Sequence, residues 1–321
     1  MSKFASAFAL KIEAMLAYRT ARGFKEETPL LNLLQFDGFC AEHYPGADKL
    51  TPEIVWGWLD EETSVETRSF ASRSSTIRQF GLYLDAVRED AYVLPEKLGA
   101  NKPGSIPHIF TDDELTALFA EIDRLPANPN EPFLAEIAPV LLRLTYTCGL
   151  RPNESREMLA ENVNLDTGEI VITNTKRGKD RVVVMSDDML GMCLRYNTRR
   201  GIFGGGSPYF FPAKNGSAFT GAKIFAVFNR AWTAAVCTPK NPVPPSVRVY
   251  DLRHRFASAR LNRWLDEGRD LFSMLPYLRE YMGHNSLNET AYYVHILPEN
   301  LTESSAVDWD KFNAMFPEVR D

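Results

Sequence analysis

Two arginines and two tyrosines in this chain are suited to chemistry on a phosphate. Arg151, in TCGLRPNESREML, follows a helix-ending glycine and leads into the next helix, so its guanidinium can bind an anion near that helix N-terminus. Arg253, in VYDLRHRFASARL, is a second forked donor, and two guanidiniums can share the oxygens of one phosphate. Tyr292 and Tyr293, in NETAYYVHI, are adjacent phenols, and a phenol held beside a phosphate can attack it as a nucleophile.

Other polar residues could assist such a reaction. Lys176 lies near the tip of a predicted hairpin, GEIVITNTKRGKDRVVVM, from which a lysine can donate a proton to a departing oxygen. Tyr250 lies three residues before Arg253 on the same helical face. His284 follows a helix-breaking glycine in YMGHNSL and is predicted to begin the next helix. His254 lies about 100° around the helix from Arg253, and we expect it to pack or cap rather than react.

Each of these residues also has an ordinary structural explanation. Arg151 and Glu154 are spaced for a common surface salt bridge, and Lys176 could lie in a solvated turn. Both tyrosines could be packing residues. Helical periodicity does not choose between Tyr292 and Tyr293, because neighbouring helical residues point about 100° apart and both flank the apolar face.

The composition is that of a folded protein whose net charge does not favour a nucleic-acid partner. Of the 321 residues, 45% are hydrophobic and 24% charged, and the net charge is −6. The charge is uneven, however: segments 1–100 and 297–321 carry the negative excess, while residues 101–296 are slightly positive. Because binding depends on local potential, a basic face can exist on such a chain. The composition therefore permits DNA binding without predicting it.

Several classes of site and location are excluded by the sequence. The four cysteines are scattered and form neither a CxxC pair nor a Cys/His cluster, so we expect reduced thiols and neither a zinc site nor a disulfide. No apolar run approaches the ~20 residues that cross a bilayer, and we expect no membrane partner. The triple glycine in GIFGGGSPYFFP is not followed by Gly-Lys-Ser/Thr, so a nucleotide phosphate loop is not predicted.

The order of patterns predicts two domains and a tail. Residues 1–93 read as a bundle of four or five helices, and the proline- and glycine-containing segment 94–110 reads as a linker. Residues 111–296 are predicted to form a mostly helical domain with a small antiparallel sheet. The tail 297–321 has apolar residues at near-helical spacing. It could pack on its own domain or dock on a neighbouring protomer, and the sequence leaves both open.

Arginines in the N-terminal domain could contact phosphate. Arg68, Arg73 and Arg78 come at near fivefold spacing and could partly share one helical face. A solvated face and a phosphate-contacting face are equally good explanations. At the hairpin tip, Arg177 and Lys179 are further candidates for contacting DNA.

The order and spacing of these motifs resemble the tyrosine recombinase (phage integrase) family, including its Xer-like members. The resemblance rests on the Arg-x-x-Glu box at Arg151, a hairpin lysine, YDLRH, MGH, and a tyrosine nine residues after His284. It is clear over 107–296 and extends to the N-terminal helices. It implies a mainly α fold with a helical, SAM-like core-binding domain, followed by a mostly helical catalytic domain with a small antiparallel β-sheet.

The resemblance also implies roles for the residues. Arg151 and Arg253 would clamp the scissile phosphate, Lys176 would protonate the leaving 5′ oxygen, and His284 would contact the phosphate or assist proton transfer. The family's nucleophile lies nine residues after the histidine of MGH, which selects Tyr293 and leaves Tyr292 as a packing residue. Glu154 would orient the arginines, and Tyr250 replaces the family's usual histidine.

Tyr250 is the one departure from the family's pattern. A phenol can donate a hydrogen bond to phosphate but is a poorer base than histidine, with a reference pKa of ~10 against ~6.5. We therefore predict a positioning role for Tyr250. The change could also indicate a weakened enzyme, although the four intact boxes favour an active one.

The resemblance implies a site-specific DNA recombinase that integrates, excises or resolves DNA elements through a 3′-phosphotyrosyl intermediate, without ATP, metal or other cofactor. Its partners would be double-stranded DNA with inverted-repeat half-sites, further copies of the chain (a dimer on each site and a tetramer in the synapse), and an accessory or directionality protein. The implied location is cytoplasmic and nucleoid-associated. Two alternatives are an inactive DNA-binding accessory protein and a type IB topoisomerase-like enzyme.

Overall fold

The computed structural model describes residues 3–24, 27–61, 70–96, 107–173, 180–203, 206–237 and 243–295. The chain divides into two compact units, Met1–Ser105 and Ile106–Asp321. Several predictions lie outside the described residues: those for Arg68, Lys176, Arg177, Lys179 and the tail 297–321.

The described residues of the first unit form four helices around an aromatic core. The helices are α1 (Ala9–Ala21), α2 (Glu27–His43), α3 (Pro52–Asp60) and α4 (Phe70–Ala86). Phe36 lies at the centre of this core, with ring centroids 5.3 Å from Trp58, 5.8 Å from Phe8 and 6.0 Å from Phe80. The side chain of Thr51 accepts a hydrogen bond from the Ile54 amide and so caps the start of α3.

Neither explanation of the arginine spacing on α4, a solvated face or a phosphate-contacting face, holds for Arg73, which is buried with 6% of its surface exposed. Its guanidinium lies 4.5 Å from the Trp58 ring centroid and donates to the Trp58 and Glu61 carbonyls. Arg78 is half-buried and donates to the Leu94 carbonyl at 2.6 Å. Arg73 and Arg78 therefore lie against their own unit. They donate to backbone carbonyls at the end of α3 and at Leu94, and carbonyls at a helix end need such donors.

The second unit contains most of the elements. Its elements in chain order are α5 (Asp112–Asp123), α6 (Leu134–Thr147), α7 (Pro152–Arg156), a 3₁₀ turn (Ala160–Asn162), β1 (Glu169–Ile172), β2 (Arg181–Val184), α8 (Asp187–Phe203), α9 (Gly221–Val236), α10 (Val249–Asp266), α11 (Leu271–Met282) and α12 (Leu287–His295). The predicted fold class, mainly helical with a small antiparallel sheet, is confirmed.

Local signals in the sequence account for the start of this unit and for its hairpin. Thr111 and Glu114 form a capping box at the start of α5, with reciprocal hydrogen bonds of 3.2 and 2.8 Å. β1 and β2 pair antiparallel, with Ile170 opposite Val183, and both of these side chains are buried. The two strands of the predicted hairpin are therefore present, one before and one after residues 174–179.

The ends of the segment predicted as a linker pack within the units. Leu94 is buried in the core of the first unit, and Phe110 is buried in the core of the second, where its ring lies 5.3 Å from that of Trp232. The boundary between the units, at Ser105 and Ile106, falls inside the predicted segment 94–110.

A small separate core holds the last three helices of the second unit together. It comprises Ala257, Leu261, Leu271, Leu275, Leu278, Met282, Ala291 and Tyr293 from α10, α11 and α12. Arg253, His254 and His284, singled out in the sequence, contact members of this core. Within the described ranges, no helix is long and apolar enough to cross a membrane, and no group of three His, Cys, Asp or Glu side chains could hold a metal ion.

Candidate active site

The site is organised around the C-terminal end of α11. The helix ends at Gly283, which has φ +64° and therefore the left-handed conformation that glycine adopts without strain. The carbonyls of residues 281–283 each accept a hydrogen bond from a different arginine: Arg181 Nε at 2.9 Å, Arg253 Nη2 at 2.5 Å and Arg151 Nη2 at 2.5 Å. Carbonyls at a helix end lack intrahelical donors and attract cations, so this end gathers three guanidiniums.

Arg151 reaches this end from the turn between α6 and α7. That turn begins at Gly149, with φ +60°, where an added Cβ would lie 2.4 Å from the Phe256 ring. Arg151 precedes the first turn of α7, and its backbone amide donates to Glu154 Oε2 at 2.8 Å. Its side chain keeps 29% of its surface exposed. Arg151 is thus fixed by its own helix and still accessible to an anion.

Arg253 is fully buried on α10. Its Nη1 donates to the Gly149 carbonyl at 2.6 Å, while Nη2 donates to Met282 as described above. Its Nε is buried and has no hydrogen-bond partner among the described residues. Burial lowers the pKa of this guanidinium, yet it keeps its charge at neutral pH because an arginine titrates so far above it. A buried Nε without a partner also occurs, in the described part of the chain, in Arg73, Arg255 and Arg279. What sets Arg253 apart is its place beside Arg151, Glu154 and Tyr293.

Glu154 connects the arginines. Its carboxylate binds Arg151 Nη1 at 2.7 Å and Arg181 at 3.0 and 2.7 Å, and one oxygen lies 4.0 Å from Arg253 Nη1. Burial alone would raise the pKa of Glu154, but the hydrogen bonds and charge of Arg181, followed by those of Arg151, hold that pKa at about 2. Arg151 and Glu154 therefore do not form an ordinary surface salt bridge. They belong to a mostly buried network of ion pairs and hydrogen bonds.

His284 lies in the turn after α11, ahead of the first residue of α12 rather than within that helix. Its Nδ1 lies 2.8 Å from Thr290 Oγ1, and the side chain is buried. Burial lowers its pKa, and the charges of Arg253 and Arg151 lower it further, to about 3. His284 is therefore neutral at pH 7 and can donate one hydrogen bond and accept another.

The lowered pKa of His284 predicts an acid-sensitive second unit. Between its ordinary pKa of 6.5 and about 3, the unfolded chain binds a proton that the folded protein does not, so stability falls as pH drops through this range. From pH 6.5 to 5, His284 should account for about 2 kcal/mol of lost unfolding free energy. In urea unfolding of the full chain at pH 7 and pH 5, His284→Gln should show a smaller loss than the unmodified chain.

His254, whose pKa burial also lowers, to about 4, contributes to the same acid sensitivity but is present in both chains, so the difference between the two chains reports His284. Glu154 does not interfere, because with a pKa of about 2 it stays ionised across this range. A His284→Gln chain that loses as much stability between pH 7 and 5 as the unmodified chain would contradict the buried, neutral His284.

The two tyrosines of α12 differ in burial, and the predicted packing of Tyr292 is partial, through ring contacts with His254 and Tyr293. Tyr292 is 43% exposed, whereas Tyr293 is 2% exposed and belongs to the small core. The Tyr293 ring stacks on His284 at 5.8 Å with an interplanar angle of 13°. Burial raises the pKa of Tyr293, and the nearby Arg253 guanidinium opposes that rise. The structure therefore brings Tyr293 to the arginines, while the preceding Tyr292 stays exposed.

Tyr250 and His254 lie one helical turn apart on α10 and border Tyr293. Tyr250 is half-buried, and its ring centroid lies 5.0 Å from that of His254. His254 lies 5.4 Å from the Tyr293 ring and 6.5 Å from Tyr292. Burial lowers the pKa of His254 to about 4, with Arg248 and Arg253 contributing. His254 thus packs among aromatic rings, as the sequence predicted.

Arg181 is the residue of this cluster that the sequence interpretation missed. It is the first residue of β2, and its guanidinium binds both carboxylate oxygens of Glu154. The only signal in the sequence is an arginine that directly follows the polar hairpin tip, and exposed arginines are common in that position. The contacts that reveal its place join residues 27 and 100 positions apart in the chain.

Comparison with known proteins identifies the family. Residues 109–300, more than half of the chain, match the phage integrase family. The chain belongs to that family. The predicted family resemblance is thereby confirmed, and with it the assignment of this integrase-family chain to the tyrosine recombinases, a class that recombines DNA at specific sites.

Two relatives cover almost all of this integrase-family chain. Tyrosine recombinase XerD of Pseudomonas aeruginosa is 27% identical over 308 residues, covering 93% of each chain. A Sinorhizobium fredii chain described as an integrase/recombinase, y4rB, is 24% identical over 307 residues, covering 93% of this chain and 96% of the relative. The similarity therefore includes the N-terminal unit.

Solved structures show that the fold is shared. The XerH site-specific recombinase bound to palindromic difH substrate matches with a TM-score of 0.60 and 21% identity, covering 88% of this chain and 79% of that one. The Tn1549 transposon integrase in complex with a circular intermediate DNA matches with a TM-score of 0.59 and 14% identity, covering 88% and 94%. At these identities the likeness concerns the fold.

Proposed function

We propose that this chain is a site-specific DNA recombinase that cleaves and rejoins DNA through a 3′-phosphotyrosyl intermediate. One observation carries the proposal: the end of α11 gathers Arg151, Arg253 and His284, and α12 places Tyr293 against the same cluster. Guanidiniums, a neutral imidazole and a phenol are the groups that a metal-independent attack on a phosphodiester requires.

The arginines would bind the scissile phosphate. Arg151 is accessible, and the unpartnered Nε of Arg253 offers a buried donor close to it. Two forked donors can hold the non-bridging oxygens and stabilise the charge that develops in the pentacoordinate transition state. Glu154 would orient both arginines, and Tyr250 would donate a hydrogen bond from its place beside Tyr293.

Tyr293 would be the nucleophile. Its phenolic oxygen attacks the phosphorus, the bond from phosphorus to O5′ breaks, and a 3′-phosphotyrosyl bond forms. Because burial keeps the Tyr293 phenol protonated, its proton must leave during attack, and the neutral His284 stacked on it can take part. Lys176 would protonate the departing O5′; this role rests on the family pattern. Attack by a 5′ hydroxyl of another strand reverses the steps and rejoins the DNA.

The proposed partners are double-stranded DNA with inverted-repeat half-sites and further copies of this chain, with one dimer on each site and a tetramer joining two sites. An accessory protein would set the direction of integration, excision or resolution. Lysine and arginine contacts to DNA phosphates would make binding sensitive to salt. We place the protein in the cytoplasm, associated with the nucleoid.

The test is a trapped covalent adduct on nicked duplexes built from the inverted repeats that flank the protein's own gene. Incubation should give a protein–DNA adduct that survives denaturation, because loss of the short strand next to the nick prevents rejoining. The full chain should form this adduct without added metal or ATP.

Two other outcomes favour the alternatives. Binding to these duplexes with no adduct on any of them would indicate a DNA-binding accessory protein, the alternative that Tyr250 supports. Relaxation of arbitrary supercoiled plasmid without site preference would indicate a type IB topoisomerase-like enzyme. The inverted-repeat duplexes and an unrelated plasmid therefore separate all three functions in one series.

A further inference from the structure

Arg181 is a buried arginine whose hydrogen bonds all go to the candidate site. Its side chain is 8% exposed, and Nε donates to the Tyr281 carbonyl at 2.9 Å. Nη1 and Nη2 donate to the two carboxylate oxygens of Glu154 at 3.0 and 2.7 Å. This bidentate geometry fixes the carboxylate in direction as well as in distance.

Glu154 is the point through which Arg181 acts on the other arginines. The same carboxylate binds Arg151 at 2.7 Å and lies 4.0 Å from Arg253. Three guanidiniums therefore share one negative charge, which leaves the cluster with an excess of two positive charges for a phosphate. Without Arg181, the mostly buried carboxylate would have only Arg151 and Arg253 as cationic partners in this cluster. It would then occupy hydrogen-bond donors of the two arginines that should bind the phosphate.

Arg181 also contacts the turn that carries His284. A Cβ added at Gly283 would lie 2.9 Å from Arg181 Nη1, which is too close for a side chain. The absence of a Cβ therefore lets the turn pack directly against the guanidinium. The adjacent Tyr281 carbonyl is one of its acceptors. Arg181 thus links the start of β2, the carboxylate of α7 and the end of α11.

From these contacts we propose that Arg181 is a positioning residue. It holds the Glu154 carboxylate in place and fixes the end of α11, so that donors of Arg151 and Arg253 stay available to the scissile phosphate. Arg181 would not touch the phosphate itself. The proposal rests on the proposed recombinase function.

The test compares Arg181→Met with a matched variant, Arg143→Met. Arg143 also forms a bidentate pair, with Asp123 at 2.7 Å for both bonds, but lies outside the candidate site. In single-turnover cleavage of the nicked duplex, Arg181→Met should lower the rate roughly 10- to 100-fold, as loss of an orienting partner commonly does. Arg143→Met should leave the rate unchanged. DNA affinity is measured in parallel to separate binding from the cleavage step.

A double variant separates positioning from simple loss of structure. Adding Glu154→Gln to Arg181→Met removes the uncompensated carboxylate and should recover about tenfold in rate, a coupling of about 1.4 kcal/mol. The single Glu154→Gln variant completes the cycle. Urea unfolding of the same variants shows whether the recovered rate is recovered folding, because removing an undercompensated buried carboxylate also restores stability.

The outcomes distinguish this proposal from the proposed function. If the unmodified chain forms no adduct, the recombinase function fails and the role of Arg181 fails with it. If the unmodified chain cleaves and Arg181→Met cleaves as fast as Arg143→Met, or Glu154→Gln gives no recovery, only the role of Arg181 is contradicted.

Should Arg181→Met fail to fold, Arg181→Lys decides. It keeps the charge without the fork, and cleavage at the unmodified rate would overturn the proposal.

Discussion

Replacing Tyr293 with phenylalanine should abolish the covalent adduct while leaving DNA binding intact. The substitution removes one oxygen from a buried ring that stacks on His284, so the packing of α12 is preserved. That oxygen is the proposed nucleophile, and no adduct can form without it. The measurement is adduct yield on the nicked duplex together with DNA affinity by titration. We expect no detectable adduct and an affinity within about threefold of the unmodified chain, well under 1 kcal/mol.

Tyr292→Phe is the matched control, since it removes the same atom from the adjacent residue. Tyr292 is 43% exposed, against 2% for Tyr293. We expect Tyr292→Phe to form the adduct at the unmodified rate. Loss of the adduct in Tyr292→Phe, with full activity in Tyr293→Phe, would reverse the assignment of the nucleophile and contradict the orientation of α12.

Arg253→Lys should combine a large loss of cleavage with a measurable loss of stability. A lysine keeps the charge but has no planar fork, so it cannot serve the carbonyls of Gly149 and Met282 together. Leaving one buried carbonyl without a donor costs about 1–3 kcal/mol of unfolding free energy. Loss of one preorganised donor to the transition state should lower the cleavage rate by about 100-fold or more. Urea unfolding and single-turnover cleavage measure the two effects.

The control on the same helix is Arg263→Lys. Arg263 is 69% exposed and pairs with Glu267 at 2.9 Å, an exposed ion pair that contributes little. Its replacement should leave stability within about 0.5 kcal/mol and the cleavage rate unchanged. If Arg253→Lys matched Arg263→Lys in both measurements, Arg253 would be neither a structural clamp nor a phosphate ligand.

Local signals in the sequence were sufficient for much of the fold. Thr51 and the Thr111 capping box start helices where their side chains can accept from backbone amides, and Gly149 and Gly283 follow helix ends where φ must be positive. β-branched runs around a polar tip predicted the hairpin. These features depend on residues within a few positions of one another, so a single sequence contains them.

Contacts between distant residues were not predictable in this way. The spacing of Arg73 suggested an exposed face, but the residue folds back on Trp58, fifteen positions earlier. Periodicity could not decide between Tyr292 and Tyr293, because the choice depends on how α12 packs against α10 and α11. Arg181 was missed for the same reason: its partners belong to α7 and α11, and only the folded unit brings them together.

The most direct test of the proposed mechanism is to identify the residue that carries DNA after cleavage. The adduct of the unmodified chain is digested with nuclease and protease, and the modified peptide is sequenced by mass spectrometry. We predict a nucleotide joined through its 3′ phosphate to Tyr293, in the peptide that contains NETAYYVHI. A nucleotide on Tyr292 or any other residue, a linkage through a 5′ phosphate, or no modified peptide from a chain that recombines DNA would contradict it.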